Sequence, residues 1–257
     1  AIKFLRAGLG KTDLVDRFLR ERRLLARLTH PGIARLLDAG THQGEPYLVM
    51  EYIDGVPITQ WAGSHAPHLA QRIGLLLKVC RATEYAHGQL IVHRDIKPAN
   101  IMVDKDDNPK ITDFGLALNL HKDMNKDSTF VMGVGSPAYM SPEQIKNYPL
   151  NQKTDLYSLG VLLFHMLTGR LPFRASNPAQ LVYKIINADP PSVSQLNPDV
   201  PEQMDAVIRK ALEKDLYSRY RNGAEFAKDL AAVRYQILDE NYVPPDAARF
   251  AKLRRLA

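Results

Sequence analysis

The chain has 257 residues, of which 45% are hydrophobic and 24% charged, enough for a substantial core and ordinary for a globular protein. Its 34 basic residues against 28 acidic ones give a net charge of +6, spread along the chain rather than gathered on a stripe with interleaved aromatics, which argues against a nucleic-acid partner. A single cysteine, Cys80, excludes an internal disulfide and fits a reducing compartment, and no apolar run approaches the roughly 20 residues of a membrane span.

In chain order, Ala1–Leu5 reads as the end of a strand and Ala7–Thr12 as a glycine-containing loop. Within it, Gly8-Leu9-Gly10-Lys11-Thr12 is not a P-loop, because that motif needs a glycine five positions before Gly10, where Leu5 stands. Asp13–Leu28 carries Leu14, Phe18, Leu24, Leu25 and Leu28 among many charges and reads as an amphipathic helix, stopped by His30-Pro31-Gly32. Ile33–Ala39 and Tyr47–Tyr52 read as strands joined by a polar turn over Gly40–Pro46. Beyond Asp54-Gly55 the pattern turns helical, with helices expected over Gln71–His87 and near 154–168, 178–187, 202–213 and 223–235, and a polar loop over 119–135. Cys80 lies in an apolar helical run and reads as a small buried hydrophobe.

The order predicts an α+β fold of two lobes: a small antiparallel-sheet front lobe with its hinge over 1–55, and a larger, mainly helical back lobe over 56–235. The remainder, 236–257, contains Pro244-Pro245 and reads as a linker or the start of a further domain.

Between the expected helices lies His93-Arg94-Asp95-Ile96-Lys97-Pro98-Ala99-Asn100, followed 18 residues after Asp95 by Asp113-Phe114-Gly115. Phosphoryl transfer calls for such groups: an acid at the hydroxyl nucleophile, an amine at the phosphate, and an amide with a carboxylate for a hard cation. Either tripeptide alone is a weak signal, whereas the octet with the second motif at this distance is specific. The run resembles the catalytic and metal-binding loops of the eukaryotic-type protein kinases. The resemblance covers nearly the whole chain, and Gly135-Ser136-Pro137-Ala138-Tyr139-Met140-Ser141-Pro142-Glu143 is similar to bacterial members in particular.

What the resemblance implies is a bilobal kinase fold and transfer of the γ-phosphate of ATP, with Mg²⁺ or Mn²⁺, to Ser/Thr hydroxyls of protein substrates. Asp95 would orient or accept the hydroxyl proton, Lys97 would sit at the transferred phosphate, and Asn100 and Asp113 would ligate the metal. Lys3 would hold the ATP phosphates, paired with Glu21. Met50 would be the gatekeeper, the Glu51 carbonyl and Ile53 amide would bond the adenine edge, and Ala1 and Met102 would close on its faces. Leu25, Leu36, His93 and Phe114 match an apolar stack, a role that a plain core would fill equally well. Asp155 would brace the catalytic-loop backbone, with a helix N-cap as the local alternative, and Arg219 would latch onto Glu143. Lys97 and Ser136 point to Ser/Thr rather than Tyr acceptors.

Regulation is implied as well. Arg94 would help bind a phosphate on the loop between Asp113 and Glu143, for which Thr129 or Ser128 is the expected acceptor, with self-association for autophosphorylation in trans. The resemblance also implies a glycine-rich loop and two strands ahead of Lys3, where this sequence has not begun. A fragment of a longer kinase is the expectation, cytoplasmic in this segment whether or not the parent chain is membrane-tethered, and a pseudokinase scaffold is the alternative.

Overall fold

The computed structural model describes residues 1–4, 25–43, 45–64, 68–114 and 137–238. Strands β1 (Ile2–Phe4), β2 (Leu36–His42) and β3 (Glu45–Met50) form an antiparallel sheet in the order β1-β3-β2. Lys3 lies opposite Leu48, and the pairing continues beyond β1 through Ala1, which exchanges backbone hydrogen bonds of 2.7 and 2.8 Å with Met50. The expected turn over Gly40–Pro46 is shorter than the sequence suggests, since the strands pair into it as far as His42 and Glu45, with Gln43 beyond them at a φ of 52°. Gly40 explains the difference. It sits in β2 opposite Tyr47, and a Cβ there would come 2.8 Å from the Tyr47 hydroxyl, so the glycine admits a ring across the ladder rather than turning the chain.

A second antiparallel sheet joins β4 (Gly55–Pro57), β5 (Ile101–Asp104) and β6 (Pro109–Ile111) in that order. Its strands of three or four residues are too short for an alternation to register in sequence. The helices are α1 (Ile58–Ser64), α2 (Leu69–Gly88), α3 (Pro142–Ile145), α4 (Gln152–Thr168), α5 (Pro178–Asn187), α6 (Val193–Leu196), α7 (Gln203–Ala211) and α8 (Gly223–Leu238). α5 has the expected bounds, α7 is shorter than expected, and α8 runs three residues further. These small sheets with a helical lobe make the expected bilobal α+β arrangement. The helix expected over Asp13–Leu28 lies largely outside the described residues, as do Glu21 and the polar loop 119–135.

α4 is the axis of the helical part. Every residue from Thr154 to Phe164 is buried, as a helix must be when other elements surround it. α2 packs on α4 and on α8, and α7 crosses α4 at Gly160. A Cβ at Gly160 would lie 2.7 Å from the Ala211 Cβ and 3.2 Å from Leu212 Cδ2. Gly160→Ala is therefore expected to push the helices apart and cost about 1–3 kcal/mol, read as a lower urea midpoint at unchanged m-value. Cys80 is fully buried on α2, and burial raises its thiol to about 12, which keeps it from acting as a thiolate.

Lys214, just after α7, is a costly resident of this core. Its Nζ is buried with no hydrogen-bond partner among the described residues, 4.2 Å from the Phe173 ring centre and 5.7 Å from that of Tyr157. Burial pulls its pKa down to about 8; Asp189 and Glu213 oppose the shift, and Arg219 adds to it. Between about pH 8 and the ordinary lysine range the unfolded chain holds this proton more readily than the folded one, so stability rises with pH across that window. Lys214→Met should raise the thermal midpoint at pH 7 and flatten the rise, which melting scans between pH 7 and 10 would reveal.

Candidate active site

The octet forms the loop between α2 and β5, and buried groups hold it from beneath. Asp155, fully buried in the first turn of α4, accepts the backbone N–H of His93 at 2.8 Å and of Arg94 at 2.7 Å. Its Oδ2 also meets His87 Nε2 of α2 at 2.7 Å. The cap of α4 is Asn151, whose side chain accepts from the Lys153 N–H, so the N-cap alternative for Asp155 is not what the chain adopts. With both its carboxylate oxygens engaged, Asp155 fixes a backbone that Arg94 enters at a φ of 67°, a conformation that non-glycine residues adopt only when surroundings enforce it. Gln144 of α3 adds a further grip, its Nε2 donating to the Arg94 carbonyl at 2.7 Å.

His93 is completely buried and joins the two loops. Its Nδ1 accepts from the Asp95 N–H at 3.2 Å, which leaves Nε2–H to donate to the Thr112 carbonyl at 2.8 Å and selects that tautomer. Its ring meets Phe114 edge to face at 4.6 Å between centres. Leu25 and Phe114 belong to the main core cluster, Leu36 packs against it, and His93 joins it through the Phe114 ring.

The polar groups converge above this floor. Asp95 Oδ2 accepts from Lys97 Nζ at 2.7 Å and from Asn100 Nδ2 at 3.0 Å, and the same amide donates to the Asp95 carbonyl at 2.8 Å. Those two bonds turn the Asn100 amide so that its oxygen is left without a protein donor among the described residues. Asp113 stands at a φ of 61° with Oδ2 3.0 Å from Lys3 Nζ of β1, which ties the front sheet to the second loop. Lys3 was expected to pair with Glu21, which lies outside the described residues, as do Ser128, Thr129 and Ser136. The free amide oxygen of Asn100 and the Asp113 carboxylate are hard oxygen donors that suit Mg²⁺.

Met50 closes β3, and the segment after it is half-anchored. The Glu51 N–H donates to the Arg35 carbonyl at 2.8 Å, while the Glu51 carbonyl and the Ile53 N–H have no partner among the described residues. The Glu51 carboxylate turns away, to Lys110 Nζ and to the Arg35 N–H at 3.1 Å. Burial works to raise its pKa, but the bonds from Lys110 and Arg35 outweigh it and hold the carboxyl below its ordinary value. Met102, half-buried on β5, lies opposite Pro57 and Lys110.

The expected latch is present: Arg219 NH1 and NH2 reach Glu143 Oε1 and Oε2 at 2.7 and 3.2 Å, with both residues buried. Thr154 Oγ1 donates to the same carboxylate at 2.9 Å. Burial would raise the pKa of Glu143, yet Arg219's bonds and charge, helped by Thr154, set it below the ordinary carboxylate value. Ser141 turns out to cap α3, accepting from the Gln144 N–H at 3.3 Å while Gln144 Oε1 accepts from the Ser141 N–H at 2.9 Å.

Sequence reasoning missed His87, Gln144 and Lys110. Only His87 left a signal, a polar residue on the buried face of an otherwise apolar helix, which needs a partner.

A small antiparallel sheet bearing a lysine on the metal-type loop, over a helical lobe that holds an HRD-type loop from a buried aspartate, defines the protein kinase class. The model of the protein kinase domain family matches residues 1–232, and the chain belongs to that family. It is 37% identical over 260 residues to the serine/threonine-protein kinase PknB of Mycolicibacterium smegmatis, covering 98% of this chain and 42% of the relative. To PrkC of Bacillus subtilis it is 35% identical over 232 residues, covering 90% of this chain and 36% of the relative. The chain thus spans about four-tenths of the length of these curated relatives. Among solved structures, the PknI kinase domain of Mycobacterium tuberculosis superposes with a TM-score of 0.70 at 26% identity, over 90% of this chain and 84% of that one. Rad53 1-466 in complex with AMP-PNP superposes with a TM-score of 0.73 at 29% identity, over 89% of this chain and 56% of that one.

Proposed function

We propose that this chain is the catalytic domain of a serine/threonine protein kinase, transferring the γ-phosphate of ATP to Ser/Thr hydroxyls of proteins. The observation that carries the reading is the joint geometry of Asp95, Lys97 and Asn100 on one loop with Lys3 on Asp113 opposite. MgATP, when bound, supplies the transferable phosphoryl group and a cation that offsets charge on the phosphates. Asn100, through its free amide oxygen, and Asp113 are the metal-side ligands. Lys3 lies next to Asp113 and binds the phosphates, with Glu21 as its expected partner.

Adenine edge atoms would pair with the open Glu51 carbonyl and Ile53 N–H, with Met50 behind and Ala1 and Met102 on the two faces. Asp95 orients the acceptor hydroxyl and takes its proton as the oxygen bonds phosphorus and the bond to ADP breaks. Lys97, already within 2.7 Å of Asp95, offsets the charge that develops on the transferred group. The bilobal division at 1–55 and 56–235 follows from this reading, with nucleotide between the parts. Phosphate on Thr129 or Ser128, delivered by a second copy, would engage Arg94 and order the loop that precedes Ser136.

The test is transfer of labelled γ-phosphate from MgATP to the chain and to a generic protein acceptor, with the chain extended at its front by the family's glycine-rich segment. The expected result is phosphoserine and phosphothreonine on the acceptor, abolished by Asp113→Asn and reduced at early times by Thr129→Ala. Nucleotide binding without any transfer would replace the enzyme with a scaffold.

A further inference from the structure

A cavity of about 310 Å³ opens in the helical part between α1, α2, α8 and the β5–β6 turn, and shares no residue with the transfer site. Its size lies at the lower end of the range for small-molecule sites. Three cations line it, Lys78 and Arg81 from α2 and Arg234 from α8, against one acid, Asp107.

The walls are fixed by their own bonds. Asp107 sits in the turn at a φ of 57° and accepts the Trp61 indole N–H at 2.7 Å, which locks the ring of a residue only 5% exposed. Lys78 Nζ donates to the Asp107 carbonyl and to Asn108 Oδ1, each at 3.0 Å, and steadies the same turn. Arg234 Nε donates to the Ala70 carbonyl at 2.9 Å, which carries the guanidinium across Gly74. A Cβ at Gly74 would stand 3.4 Å from that Nε, so a side chain there would fill the space under the arginine. The terminal nitrogens of Arg234 and the whole guanidinium of Arg81 have no acceptor among the described residues.

A concave site with a fixed apolar wall at Trp61 and Leu75, and with two planar cations short of acceptors, has the chemistry of a phosphate receptor, because guanidinium forks match phosphate oxygens in pairs. We infer that this cavity binds a small phosphate monoester, its dianion between Arg81 and Arg234 and its organic group against Trp61. Asp107 keeps its negative charge while its Oδ1 accepts the indole N–H, and the cations of Lys78, Arg81 and Arg234 outnumber it.

Trp61 is the single tryptophan of the chain and supplies the readout. Phenyl phosphate titrated into the protein should change the indole emission along a saturating curve, and inorganic phosphate should bind at least ten-fold more weakly. Arg81 is exposed and unpaired among the described residues, so Arg81→Ala should keep its helical circular dichroism while losing at least ten-fold in affinity for phenyl phosphate. An emission change that stays linear in concentration, or equal affinity in the wild type and Arg81→Ala, overturns the site. Equal affinity for phenyl phosphate and inorganic phosphate overturns the part given to the apolar wall.

Discussion

Asp95→Asn is expected to lower kcat for γ-phosphate transfer by about 10²- to 10⁴-fold while leaving KM for ATP nearly unchanged. The carboxylate does two things that an amide cannot do together. It accepts both the Lys97 ammonium and the Asn100 amide on one oxygen, and it can take a proton from a hydroxyl. In the variant the amide oxygen can take the place of Oδ2 and still accept from Lys97 and Asn100, so what is lost is the proton acceptor. The loop itself should survive, because its backbone is held at His93 and Arg94 by Asp155 and not by the Asp95 side chain. Steady-state kinetics on a generic protein acceptor, with melting curves to confirm an unchanged fold, would check this. A variant that kept wild-type kcat would remove Asp95 from the chemistry.

The largest loss of stability should come from Arg219→Ala, about 3–5 kcal/mol. The guanidinium satisfies both oxygens of Glu143 and also donates to the carbonyls of Lys153 and Glu213, so its removal strands a buried carboxylate and two backbone acceptors. The pH dependence gives the mechanism away. In the wild type the Glu143 pKa is depressed, so its contribution is present above the ordinary carboxylate range and lost as pH falls through the folded value. In Arg219→Ala the same carboxylate is buried without its cation, and protonation relieves it. Urea denaturation at pH 7 and pH 5 should therefore show a deficit that narrows at the lower pH. A deficit independent of pH would mean that lost packing, not the stranded charge, is responsible.

How legible this molecule is from its sequence differs by kind of contact. The octet and the Asp113 loop were readable because their residues are close in sequence and their types are chemically constrained. The axis helix and α5 were readable because a run of ten or more residues repeats its pattern. The β4–β6 sheet and α3 were not, since three or four residues hold no period. Gly40 misled for a physical reason: a glycine reads as a turn, but here it makes room for Tyr47 across a ladder. The contacts Lys110 to Glu51, His87 to Asp155 and Gln144 to Arg94 join residues 50 or more positions apart; Lys110 and Gln144 look in sequence like any surface charge or amide, and His87 on its buried face asks for a partner without saying which. Lys3 shows the limit from the other side: its position was expected, and its proximity to Asp113 required the sheet to be placed over the loop.

The two N–H bonds that Asp155 accepts have a kinetic meaning. Loops beside a cleft usually open on their own, at a small fraction of the free energy that unfolds a domain. Here the amides of His93 and Arg94 end on a carboxylate inside a helix buried on every side from Thr154 to Phe164, so the loop cannot peel away without exposing that charge-bearing core. Their hydrogens should exchange with solvent as slowly as those in the middle of α4, and wear on the catalytic loop becomes wear on the whole helical body.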